Sequence, residues 1–160
     1  DSRIQSALMF AVIDFVEIEL AYKSIWCVTE ESKKAQWKNG RCPDLGLDYL
    51  AWEMTLDDPG LDENSRADSQ AKTAREIKAI YDWWTVTRPA RPDPYDASGW
   101  TDICDEKRNG GIKMFEKGSK EFERRKTRAH KLLRKLELAN DLEDQNMLIR
   151  LIKIRKSLWA

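Results

Sequence analysis

The chain reads as an all-α protein, a bundle of five or six helices with a proline-rich connector, on three observations. Apolar residues recur at spacings of three and four from the N-terminus onward, as one face of a helix requires. Asn39-Gly40, Arg88-Pro89 and Asn109-Gly110-Gly111 interrupt that pattern where helices stop. The one β-branched triplet, Thr85-Val86-Thr87, is too little for a sheet.

The first helix starts near Ser2, with Ile4, Leu8, Ala11, Phe15, Ile18, Tyr22 and Ile25 along one side and Val12, Val16 and Trp26 widening the stripe. Residues 29–37 continue it or form a short second piece. A helix follows Pro43, with Asp44 as its expected N-cap and Leu47, Leu50, Ala51 and Met54 inward. Residues 57–69 are acidic and turn-rich, the pattern of an exposed loop. From about Asp68 a helix carries Ala71, Ala74, Ile77, Tyr81 and Trp84 inward as far as Arg88, because the residue before a proline is pushed out of the α region. Ser98 caps a short helix holding Trp100, Ile103 and Cys104. A basic helix then runs from about Ile112 to Leu138, with Ile112, Phe115, Phe122, Ala129, Leu133 and Leu136 inward. Asn140-Asp141 marks a new cap, and a last helix carries Met147, Leu148, Leu151, Ile152, Ile154 and Leu158.

At 160 residues the chain suits one domain, 1–160, rather than two. A hydrophobic fraction of 41%, a charged fraction of 35% and a mean hydropathy of −0.68 describe a densely charged surface and no membrane span. No secretory signal pattern opens the sequence, and Cys27, Cys42 and Cys104 are too few and too irregular for a disulfide framework. A cytoplasmic setting is the expectation, that of the host cell if the chain is phage-encoded. The formal net charge of zero conceals a gradient, since residues 1–70 hold 14 acids and 7 bases whereas residues 111–160 hold 7 acids and 14 bases. Packing of one part on the other, or self-association, would neutralise it.

Motifs for common catalysis are absent from the sequence: there is no G-x-S-x-G, no P-loop and no Rossmann glycine pattern. The three cysteines with His130 lack the close pairing of zinc ligands, and His130 lies among bases on a solvated helix face, so neither metal nor cofactor is expected. One catalytic route remains, a Mg²⁺-dependent nucleotide hydrolase. Asp14 and Glu17, with Glu76, Glu137, Asp141 and Asp144, are its candidate carboxylates, although the paired E-x-x-E pattern is not matched. A second alternative is nucleic-acid binding through residues 113–135, where ten bases face three acids.

The leading expectation is a non-enzymatic helical binding protein. Its focus is WWTVTRPARPDPYDASGW at 83–100, which holds three of the seven tryptophans and three of the five prolines. Pro89, Pro92 and Pro94 predict an extended strap between Trp83-Trp84 and Trp100; RPARPDP does not match an SH3-ligand pattern. In the functional version of the same parts, Trp83, Trp84, Arg88, Arg91, Tyr95 and Trp100 line a binding cleft. There an aromatic face stacks a ring and the guanidinium groups hold phosphate or carboxylate, as for a small nucleotide-like ligand. The alternative occupant is a protein partner. The broad apolar face of the last helix predicts a homo-oligomer through Leu151, Ile154, Leu158 and Trp159.

The 83–100 segment and the terminal EDQNMLIRLIKIRKSLW resemble pieces of uncharacterised accessory proteins of tailed bacteriophages. The resemblance covers the C-terminal half and carries no catalytic residue. It implies a small, helical, oligomeric protein that acts by binding a host protein, a virion component or a small signalling molecule.

Overall fold

The structure, a computed structural model, describes residues 2–27, 37–56, 70–109 and 118–158. It is all-α. Its elements are α1 (Ser2–Asp14), a π-helical segment (Phe15–Leu20), α2 (Ala21–Cys27), α3 (Pro43–Glu53), α4 (Gln70–Asp82), a second π segment (Trp83–Thr87), α5 (Pro94–Ala97), α6 (Trp100–Asn109), α7 (Lys120–Ile154) and a 3₁₀ turn (Arg155–Leu158). The sequence reads as one domain; the chain divides into two compact units, Asp1–Pro89 with Met147–Ala160, and Ala90–Asn146.

The core of the first unit gathers Met9, Val12, Phe15, Val16 and Leu20 from the N-terminal helix and Leu50 from α3. Ala74, Ile77, Ile80, Tyr81 and Trp83 join from α4 and its extension, and Met147, Leu151 and Leu158 from the chain's last turns. The N-terminal stripe differs from expectation, and from Phe15 onward the π segment accounts for the change. A regular 3.6-residue period would bring Ile4, Ile18 and Tyr22 inward. Instead the buried positions run Met9, Val12, Val16, Leu20 and Ser24, while Ile4 and Tyr22 are exposed and Ile18 is half-buried. The i→i+5 bonding of a π turn inserts extra arc, so spacings of four keep one face that three-and-four would hold in an α-helix.

The same turn fixes the position of α3. The Cys42 N–H donates to the Glu17 carbonyl at 2.8 Å, catching a backbone oxygen of the π segment. Gly46 then lies directly on that backbone, since a Cβ there would sit 2.8 Å from the Val16 carbonyl carbon and closer still to its oxygen. Pro43 takes the first helical position and Cys42 the N-cap, with Asp44 in the first turn rather than at the cap. Consequently Leu45, Gly46 and Leu50 are buried, Leu47 and Met54 partly so, and Ala51 is exposed rather than inward.

The second unit is built around Ile103 of α6 with Phe122 and Ala129 of α7, and Trp100 packs against them. Ser98 accepts the Trp100 N–H at 3.3 Å, the cap the sequence predicts. Two expectations are corrected here. The connector is no extended strap: Arg88–Ala90 turn, and Pro94 opens the one-turn α5, whose cap Asp93 accepts the Tyr95 N–H at 2.8 Å. And α7 runs unbroken for 35 residues through Asn140-Asp141. Those two residues cost only tenths of a kcal/mol each, about 0.5 relative to alanine, while the surrounding Leu, Glu, Lys and Arg favour helix and neither Gly nor Pro interrupts them. The stretches 29–36, 57–69 and 110–117, with the loop and the inward Ile112 and Phe115 expected there, lie outside the described residues, as do the side chains of Ile25 and Trp26.

Gly46→Ala is expected to destabilise the protein by about 2 kcal/mol, since the added methyl meets backbone rather than a movable side chain. Urea unfolding followed by circular dichroism measures it; an unchanged midpoint would contradict the close approach.

Candidate functional site

Six residues of the 83–100 segment form the expected cleft, and the structure brings three of them together. The second π segment closes with the Arg88 N–H donating to the Trp83 carbonyl at 2.7 Å, which holds both tryptophans and Arg88 in one helical extension of α4. Trp83 is buried in the core. The expectation that Trp84 is the inward ring is corrected: it is half-buried on the core's rim, its centroid 5.9 Å from that of Trp83. Phe10 meets Trp84 edge-on at 6.4 Å, and the Arg88 guanidinium lies over the Trp84 ring at 4.6 Å. Phe10 and Val86 are 55% and 65% exposed, so the group is an apolar surface with a cation held on its aromatic face.

Arg91, Tyr95 and Trp100 belong to the other unit. Arg91 is mostly buried; its Nη1 donates to Asp144 at 2.6 Å, and its Nη2 lies 2.8 Å from Glu143 as an ion pair without hydrogen-bond geometry. It ties the connector to α7, and its guanidinium is engaged by protein carboxylates where a cleft would need it to face a ligand. Tyr95 is exposed on α5, and Trp100 packs on the Ile103 cluster with the His130 ring 5.3 Å away. His130 is exposed, as its sequence context predicts.

The expected oligomer residues are corrected as well. Leu151 and Leu158 are 3% and 1% exposed in the core, and Ile154 packs against it, because the spacing of 147, 151, 154 and 158 makes the packed face of the last turns. Trp159 lies outside the described residues. Ile149 and Ile152 are the exposed apolar residues of those turns.

Asp14 and Glu17, the acids nominated for Mg²⁺, lie together on the first unit's surface. Arg41, carried in by the strand-like bridge Lys38–Arg41 just before α3, forms an ion pair with Asp14 and donates to Glu17 Oε2 at 3.2 Å. These hydrogen bonds, Asp14's first, raise the Arg41 pKa and hold it charged. Tyr81 donates its hydroxyl to Glu17 Oε1 at 2.9 Å. Burial, then that hydrogen bond, then the charges of Glu17, Asp82 and Asp44 push the Tyr81 hydroxyl well above the ordinary tyrosine range. Glu76 accepts from Arg150 Nε at 2.9 Å. Among the described residues no cluster of three or more His, Cys, Asp or Glu could hold a metal ion. Sequence reading missed Arg41, Tyr81 and Phe10 as site residues; Arg41 is 24 and 27 positions from its partners, beyond any local spacing signal.

A groove lined by Gly118, Lys120, Glu123, Arg124 and Thr127 opens at the start of α7. The helix start is capped there: Ser119 accepts the Phe122 N–H at 3.2 Å and Glu123 accepts the Gly118 N–H at 3.3 Å. No helix among the described residues is long and apolar enough to cross a membrane. Comparison of the chain with protein-family models, with curated proteins and with solved structures finds no match.

Two outcomes follow. Because the folded Tyr81 hydroxyl ionises above its unfolded value of about 10, its contribution to stability is complete below that pH and is lost as pH rises through the folded value. Wild-type protein should therefore lose stability above pH ~10 more steeply than Tyr81→Phe, and the difference in phenolate absorbance between the two should titrate above the ordinary range. Separately, Arg91→Ala should cost about 1–2 kcal/mol, because it leaves the largely buried Asp144 without its cation and Glu143 is half-exposed. Chemical denaturation of Arg91→Ala beside wild type checks this.

Proposed function

We propose that the protein is a non-enzymatic helical binding protein whose Phe10–Trp84–Arg88 surface seats a protein partner. The observation that carries the reading is Trp84: a half-buried large ring on the core's rim beside Trp83 and Phe10, with a guanidinium over its face. Aromatic and arginine side chains on a rigid base supply most of the energy of protein interfaces, since they desolvate large area at little entropic cost. The π segment provides that base, ordering Trp84 and Arg88 before any partner arrives.

Engagement of Arg91 by Glu143 and Asp144 favours the interface form over a two-arginine cleft for a nucleotide-like ligand. The hydrolase alternative is weakened in the same way, because Asp14, Glu17, Glu76 and Asp144 are each bonded to an arginine. On the phage-like resemblance, the partner is a host or virion protein.

The test is binding of a purified partner, identified by crosslinking, to wild type, Arg88→Ala, Phe10→Ala and, as an off-patch control, the exposed Trp52→Ala. Loss of affinity by roughly tenfold to a hundredfold in the first two variants, with Trp52→Ala unchanged, is the expected result. Equal affinity across all three would overturn the surface assignment. Nucleotide turnover with Mg²⁺ that disappears in Glu17→Gln would overturn the non-enzymatic reading.

A further inference from the structure

Six of the bases in the first half of α7 share one side of the helix. At 100° per residue, Lys120, Arg124, Arg128, Lys131, Arg134 and Lys135 fall within an arc of roughly 120°. All six are exposed. Phe122, Ala129 and Leu133 occupy the opposite side, and Phe122 and Ala129 pack in the second unit's core. The arc is therefore the solvent side of a helix whose other side is already used. Along the axis it extends over about 22 Å, at 1.5 Å per residue.

The neighbouring bases show what neutralisation looks like on this helix. Arg125, off the arc, donates to both carboxylate oxygens of Glu106 at 2.8 and 2.7 Å, and Lys126 pairs with Glu123. Among the described residues no carboxylate lies within ion-pair reach of the six arc bases; Glu121 and Glu123, the acids interleaved with them in sequence, flank the arc, and Glu123 is paired with Lys126. Six cations held at spacings of one to four residues on a rigid face repel one another, and a polyanion relieves that repulsion.

Which polyanion is decided by what else the arc carries. Thr127 is its remaining member, so no aromatic ring stands ready to stack bases, as single-strand binders require; the nearest candidate, His130, lies off the arc against Trp100. A membrane-surface helix needs its apolar side for the acyl chains, and here that side packs inside the protein. A straight basic face without stacking or inserting groups suits the regular phosphate rows beside a groove of a duplex. We infer that the 120–135 face of α7 binds the phosphate backbone of double-stranded DNA without reading its sequence. This surface lies in the other unit from the Trp84 patch and stands independently of it.

Fluorescence anisotropy with a labelled duplex, repeated with an unrelated duplex sequence, tests the proposal. If four to five phosphates are engaged, affinity should fall on the order of a hundredfold between 50 and 200 mM salt, equally for both sequences. Arg128→Ala with Lys131→Ala should weaken binding at low salt and reduce the salt slope by about two. Arg108→Ala, at an exposed base on α6, should leave both unchanged. Circular dichroism of the double variant confirms the fold, which exposed positions should not disturb. Absence of duplex binding at 50 mM salt, an unaltered slope in the double variant, tighter binding to the single strand, or binding to phosphatidylserine vesicles in place of the duplex would each overturn the inference.

Discussion

The seating of α3 on the N-terminal helix rests on one close approach, that of Gly46 to the backbone of Val16. It is possible because the chain widens into a π turn at Phe15–Leu20, leaving the Glu17 carbonyl directed at the Cys42 N–H. A side chain at position 46 would hold α3 off the N-terminal helix. With glycine there, the helices meet at backbone distance, and the segment just before α3 is pulled in with them. Arg41 rides on that segment and so reaches Asp14 and Glu17. Tyr81 closes the group from α4, the third helix of the same core. A packing constraint between two backbones therefore sets an electrostatic one between side chains far apart in sequence.

The two π segments also mark the boundary of what sequence periodicity could reveal. The longer α-helices were legible, and so were the Ser98 cap, the burial of Ala71, Ala74, Ile77 and Tyr81, and the inward Phe122, Ala129 and Leu133; the one-turn α5 and the two π segments were not. Each legible feature depends on spacing within one regular helix. Tyr22 and Trp84 were misplaced because each lies in or after a π turn, where one extra residue per turn rotates everything downstream. No residue type signals such a turn; it exists because tertiary packing rewards it. The continuous α7 was hidden for the opposite reason. Asn140-Asp141 looks like a cap, but a cap needs the chain to leave the helix, and the surrounding sequence gives it no cause to do so.

The candidate site was legible in composition and illegible in arrangement. The density of tryptophan, arginine and proline at 83–100 falls where the chain's two units meet in sequence, at Pro89-Ala90. What composition could not show is how its members divide. Trp83 and Leu158, with Leu151, are ordinary core residues. Arg91 fastens the start of the second unit to α7. Arg88, three positions earlier, ends on an indole face instead. Two arginines in one short motif thus lie in different units, one on an indole face and the other on two carboxylates.

Charge segregation takes on a different meaning once side-chain partners are known. From the sequence, fourteen acids in residues 1–70 suggest an internal counterweight for the fourteen bases in 111–160. In the structure some acids have local cations: Arg41 serves Asp14 and Glu17 within residues 1–70, and beyond them Lys78 serves Asp82 and Arg150 serves Glu76. Within the second unit, the α7 bases that find acids are Arg125, on Glu106, and Lys126, on Glu123. Short-range pairs thus neutralise part of the charge on both sides, while the six exposed bases of the arc have no carboxylate within ion-pair reach among the described residues. A net charge of zero is compatible with a strong local field, because at physiological salt, charges more than about 8 Å apart largely cease to cancel one another. The field of that arc is what an approaching polyanion would meet, whatever the sum over the chain.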